Sequence, residues 1–249
     1  MLRTALTAGL AAIVLITPPI AVHAAPYVQK SREYYEARGD IIWEVPTNEK
    51  VIALTFDDGP DPDDTPLILD LLREYNARAT FFVIGSRAEQ YPDLVMREAA
   101  EGHEIANHTY SHTYFNKHIS SEAIREEVRK AETVIRTVTG RSPELFRPPG
   151  GYYNDHLIEA MHGSGYQVVM WSWHQDTEDW RTPGVNKIVR KVLDNARNGD
   201  IILFHDHVHR KTQTIAALKH ILPALRDKGF RFVTVSDLIN YDRAHPVKK

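Results

Sequence analysis

The sequence predicts an α/β fold in which a parallel sheet is covered by helices. Seven short apolar runs recur along the chain, and segments with helical period and helix-start chemistry lie between them. The runs are "VIALTF" (51–56), "ATFFVIG" (79–85), "HEIANH" (103–108), "PELFRP" (143–148), "YQVVMWSW" (166–173), "DIILFHD" (200–206) and "FRFVTVS" (230–236). Most are near-continuous in apolar residues, as strands covered on both faces are. Among the helices, Thr65-Pro66 opens "LILDLLREYN", with Thr65 as N-cap and proline in the first turn. "SSEAIREEVRKAETVIRTVTG" starts at Ser120 and stops at Gly140, and "TIAALKHILPALRDKG" stops at Gly229. Seven such units suit either a closed or distorted (β/α) barrel or an open doubly wound sheet. The first turn, "DDGPDPDD", is not a glycine-rich phosphate loop, so a dinucleotide fold loses its main support.

The flanks read differently. The N-terminus has Arg3, an apolar run from about Leu6 to Ile16, then Pro18, Pro19 and the small residues of Val22-His23-Ala24. That is the pattern of a secretory leader, 1–24, cleaved after Ala24. An uncleaved membrane anchor is the other reading, but the run is short for a span and is broken by two prolines. Residues 25–47 form an N-terminal extension in which Ile41, Trp43 and Val45 alternate as an edge strand would. One domain, 48–240, and a tail, 241–249, complete the chain. A length of 249 residues with 43% hydrophobic content suits one substantial core. The net charge of -3 gives no electrostatic case for nucleic acid, and the lack of cysteine excludes disulfides and thiolate metal sites.

The chemistry collects where the apolar runs end. "VIALTFDDGPDPDD" crowds five aspartates into eight positions, and like-charged carboxylates so close resist ionisation unless a cation or acid–base chemistry uses them. A solvated acidic turn is the plain alternative. Beyond Asp57 and Asp58, the ends of later runs carry His108 and His112, Arg147, then Asp176, Asp179 and Trp180, then His205. Barrel enzymes assemble their active sites on that face. His-x-x-x-His alone could be two core or surface histidines, but two histidines with one carboxylate make a common divalent-metal set. One aspartate can then ligate while its neighbour stays free as a base. An EF-hand loop fails because Gly59 and Pro60 fall wrongly, and an aspartyl phosphatase motif fails because the aspartates are adjacent. Asp61, Asp63 and Asp64 read as turn and N-cap residues.

"TFDDGP" (55–60), "HTYSH" (108–112), "RPPGG" (147–151), "DTEDW" (176–180) and "LFH" (203–205) resemble, in order, the five motifs of the polysaccharide deacetylases, the NodB-homology enzymes of carbohydrate esterase family 4. The resemblance covers roughly 48–240. It implies a distorted (β/α) barrel of about seven parallel strands and metal-dependent removal of acetyl groups from N-acetylated sugars. It further implies Asp58, His108 and His112 as metal ligands and Asp57 as general base positioned by Arg147. His205 would be the general acid, tuned by Asp179. Leu203 and Trp180 would wall the acetyl pocket, and the Gly150 N–H would contact the oxyanion. The ion is expected to be zinc, with cobalt or another divalent ion as substitutes. Gly150 departs from the family, which often has an aromatic there, so an aromatic wall beside the sugar is expected to be missing.

Other residues invite plainer readings. His207 and His209 sit in a loop, His103 packs at a strand start, and His174 has a satisfied structural role. Trp171 and Trp173 read as core instead of a sugar platform, and "REEVRKAETVIR" as a charged helix face. Competing functions are a non-haem iron oxygenase on the same ligand set and a glycan-binding module that has lost catalysis; the intact Asp57, Arg147, Asp179 and His205 argue against both. The expected partner is an acetylated amino-sugar polymer: peptidoglycan first, chitooligosaccharide second, O-acetylated xylan third. A monomer with neither nucleic acid nor, once the leader is cleaved, a stable membrane span completes the expectation.

Overall fold

The computed structural model describes residues 30–116, 119–209 and 212–244; the expected leader, 1–24, lies outside them. Its sheet has eight strands: β1 Ile41–Ile42, β2 Val51–Asp57, β3 Thr80–Val83, β4 Glu104–Asn107, β5 Leu145–Phe146, β6 Gln167–Val169, β7 Ile201–His205 and β8 Arg231–Val233. All pairings are parallel, in the order β1-β6-β5-β4-β3-β2-β7, with β8 also on β2. Ala53 pairs with both β7 and β8, so β8 extends the β2 edge that β3 occupies further along. Among the described residues the segment after β6 meets β7 through irregular links, including an Asp176–Leu203 bridge and a hydrogen bond from Ser172 N–H to the Ile201 carbonyl. This is the distorted barrel the motifs imply.

All seven apolar runs contain a strand. Every residue of β2 is buried, as a central parallel strand requires. The run 143–148 shrinks to two paired residues because Pro143 and Pro148 cannot donate to the ladder. The last run pairs only over 231–233. A helix, Val235–Ala244, starts within it, where Thr234 Oγ1 accepts the Asp237 N–H. The alternation at Ile41, Trp43 and Val45 produces an eighth strand at the edge, with all three side chains buried.

Two local expectations need correction. Thr65 is the first residue of the helix Thr65–Glu74, and Asp64 precedes it without a side-chain cap. The Thr65 hydroxyl is used otherwise: it accepts the Asp61 N–H at 2.7 Å and donates to Asp206 at 2.6 Å, tying the acidic turn to the end of β7. Trp171 and Trp173 lie beyond β6, so strand alternation does not apply to them; Trp171 is partly buried, but Trp173 is 71% exposed in a 3₁₀ turn. The helix Ser121–Thr139 is bounded as expected. Ser120 caps it by accepting the Ala123 N–H, and Gly140 ends it in the left-handed region.

His103 packs as expected, just before β4. Its Nδ1 accepts the Ala79 N–H, and its ring meets Phe81 edge to face. Burial is the main cause that pushes the imidazole down to about 4. The unfolded chain therefore binds a proton near pH 6.5 that the folded chain refuses until near pH 4, so stability falls as pH drops through that window, by up to about 3 kcal/mol. His103→Gln should flatten the decline in urea midpoint between pH 6.5 and 4; an unchanged slope would refute the assignment.

Candidate active site

The ends of β2, β4, β5 and β7 converge on one cluster, and backbone turns separate the roles of neighbouring residues. Asp57 is the last residue of β2; Asp58 turns at once into the left-handed region, φ 77°. His112 adopts the same region, φ 58°, a conformation that costs non-glycine residues roughly 1–3 kcal/mol and collects at functional sites. The two adjacent carboxylates consequently face different partners. Asp57 Oδ1 accepts from Arg147 Nη1 at 2.7 Å, while Asp58 Oδ1 lies 3.3 Å from His108 Nε2 and 3.0 Å from His112 Nε2.

Asp58, His108 and His112 pass the test for a metal set. Their ligand atoms lie within 4.8 Å of one another, and Asp58 Oδ1 is buried without a hydrogen-bond partner despite its closeness to both imidazoles. Such an oxygen is costly unless a cation meets it. His108 Nδ1 lies 2.8 Å from the Arg147 carbonyl, which can only accept. Nδ1 therefore carries the proton and Nε2 presents its lone pair to the cluster, the usual outer support of a ligating histidine.

The neighbouring groups form two ordered pairs, Asp57 with Arg147 and His205 with Asp179. Arg147 is fully buried; it donates also to Thr55 Oγ1 and to the Val169 and Met170 carbonyls, so its guanidinium is fixed against Asp57. His205 Nδ1 sits 2.7 Å from Asp179 Oδ1. Asp179 is itself buried, and accepts from the Trp180 N–H, the His205 N–H and the Thr214 hydroxyl. Burial would push the His205 imidazole down, yet Asp179, with Asp58 and Asp57, raises it to about 10. A dication at Asp58 would cancel much of the two-aspartate part and leave Asp179 as the group keeping His205 protonated.

The remaining expected residues are also placed. Leu203 and His205 share a face of β7, so buried Leu203 lies one step beneath His205, and Trp180 follows Asp179 with its ring half-exposed. Gly150 stands in the turn Pro149–Gly151, φ 64°. His207 Nδ1 lies 2.7 Å from Asp61, giving that aspartate a loop-tying role beyond its turn. His174 is 2.9 Å from Asp200, and these two with Glu44 form the other group of metal-ligand type among the described residues. There Glu44 also lies 3.6 Å from Arg32. The sequence reading missed Thr55 and Thr214, whose hydroxyls hold Arg147 and Asp179; threonine is too common near strands and helix starts to stand out.

Known proteins match this arrangement. The sequence model of the family described as polysaccharide deacetylase matches residues 44–169. A peptidoglycan-N-acetylglucosamine deacetylase of Bacillus cereus is 50% identical over 210 residues, 84% of this chain and 98% of that one. The crystal structure of the Bc1960 peptidoglycan N-acetylglucosamine deacetylase, in complex with an N-hydroxybenzamide, superposes with a TM-score of 0.79 at 36% identity, covering 85% of this chain and 98% of that one. A family 4 acetyl xylan esterase from Clostridium thermocellum, in complex with a cobalt ion, superposes at 0.72 with 33% identity, covering 78% and 92%. With its ordered motifs joined at one face of a distorted barrel, this chain is an enzyme of the polysaccharide deacetylase family.

Proposed function

We propose that the chain is a divalent-metal hydrolase that removes N-acetyl groups from N-acetylglucosamine polymers, with peptidoglycan as first substrate and chitooligosaccharide as second. One observation carries this reading: a carboxylate paired with Arg147, a His–Asp pair and a two-histidine, one-aspartate set share one strand face. Asp58, His108 and His112 would hold the ion, zinc by preference. When bound, it would polarise the acetamide carbonyl and lower the pKa of water from ~16 towards ~7. Asp57, oriented by Arg147, accepts the proton of the attacking water. The backbone N–H of Gly150 is assigned to the developing oxyanion. His205 donates to the departing sugar amine, and Asp179 keeps that proton available. An iron oxygenase has no use for the His205–Asp179 pair, and a lapsed glycan-binding module would not keep both pairs in hydrogen-bonding order. The leader pattern at 1–24 supports export to the cell wall.

Acetate release from peptidoglycan, chitooligosaccharides and acetylxylan, each with and without chelator, tests the reading. Release from the amino-sugar substrates that stops with chelator and returns with zinc is expected. Release that ignores chelator, or occurs on acetylxylan alone, would overturn it.

A further inference from the structure

The space beside Gly150 is already filled. A Cβ at this position would stand 2.5 Å from Tyr114 Cε1, 2.9 Å from its Cδ1 and 3.1 Å from Tyr152 Cε2. No side chain fits between those rings without moving one of them. Tyr114 comes from a different loop, two residues after His112. Its ring meets the His112 imidazole at 5.2 Å and 76°, and the Tyr152 ring at 5.8 Å and 88°. The next residue, Phe115, is buried against Phe146, which anchors the loop and leaves Tyr114 directed outward. Tyr114 and Tyr152 remain 54% and 53% exposed, so each ring offers an apolar face to solvent, Tyr114 directly beside the His112 imidazole. Large exposed rings at the mouth of a polar site cost hydration unless something covers them, and the apolar C–H face of a pyranose suits a flat ring.

We infer that Tyr114 is the aromatic wall of this site: its ring, supplied by the His112 loop in place of a side chain at residue 150, stacks on the sugar whose acetamide is cleaved. This rests on the hydrolase reading above and gives the sugar an aromatic neighbour that Gly150 itself does not supply. The loop supplies the ring while Gly150 keeps its compact turn and backbone N–H. The ring contributes through apolar contact, so the phenol oxygen is dispensable.

The experiment uses the zinc-loaded full chain and chitotetraose. Tyr114→Phe should match the wild type. Tyr114→Ala should raise KM ~10-fold, the equivalent of one lost stacking contact, with kcat changed less than ~3-fold and zinc content unchanged. In an Asp57→Asn background, which removes turnover, Tyr114→Ala should weaken chitotetraose binding by a similar factor. Gly150→Phe should be harmful alone, because the Tyr114 ring blocks it, and less harmful in Tyr114→Ala, where the new ring regains part of the lost affinity. The strain of a left-handed phenylalanine is common to both backgrounds and cancels in the cycle. An unchanged KM and binding constant in Tyr114→Ala would overturn the inference, as would equal damage by Gly150→Phe in both backgrounds. A wild-type protein that releases no acetate would instead refute the hydrolase reading, and the binding arm would still decide on Tyr114.

Discussion

Asp57→Asn is expected to keep its metal and to lose acetate release by ~10²–10⁴-fold, the usual cost of removing a general base. An asparagine preserves the shape and can still accept from Arg147 at the position where Asp57 Oδ1 now does, 2.7 Å away, but its amide takes no proton. Asp58→Asn should behave oppositely, weakening metal binding itself. Its oxygen is the one that lies against both histidines without a hydrogen bond. His205→Ala should retain metal and fall into the same activity range as Asp57→Asn. In the wild type the rate should decline as pH rises through the His205 pKa, since a neutral imidazole cannot donate. That limb should lie below the metal-free value of about 10, because the bound dication opposes the protonated form. Metal content and acetate release measured together on the three variants decide the roles. A metal-free Asp57→Asn beside a metal-replete Asp58→Asn would invert them, and an active His205→Ala would remove the proposed acid.

The parts of the site legible in the sequence were those whose chemistry is unusual for their position. Adjacent aspartates, a His-x-x-x-His spacing and an arginine before two prolines have few structural reasons to end apolar runs. What stayed hidden depends on partners distant along the chain. Thr55 meets Arg147 across 92 residues and Thr214 meets Asp179 across 35, and neither spacing leaves a local signal. Strand extent was blurred for another reason. Runs buried on both faces carry no alternation, so nothing in "YQVVMWSW" marked that pairing stops at Val169 and that Trp173 emerges into solvent. The Tyr114 wall was concealed because it replaces a motif position with a residue from another loop. The absence at Gly150 could be read, but its compensation required the fold.

The largest stability effect is expected at Arg147. Its guanidinium is fully buried, donates to Asp57 at 2.7 Å, Thr55 at 2.8 Å, and the Met170 and Val169 carbonyls at 2.7 and 3.2 Å, and lies 4.0 Å over the Phe82 ring. Burial lowers its hold on its proton, and Asp57 is what opposes that. Arg147→Met fills most of the volume but leaves a buried carboxylate and two carbonyls without their donor, a change that typically costs ~3–5 kcal/mol. Lysine is no substitute, since a single ammonium cannot reach both strand carbonyls and Asp57 in the planar fork arrangement. The cost should be largely that of the stranded charge, so adding Asp57→Asn should recover part of it. In urea unfolding, the double variant should be more stable than the sum of the singles predicts by ~1–3 kcal/mol, the range for directly contacting groups. Strictly additive losses, or an Arg147→Met midpoint equal to that of the wild type, would mean that the pair does not hold the end of β2 against β5 and β6. The base would then have to be oriented by something other than Arg147.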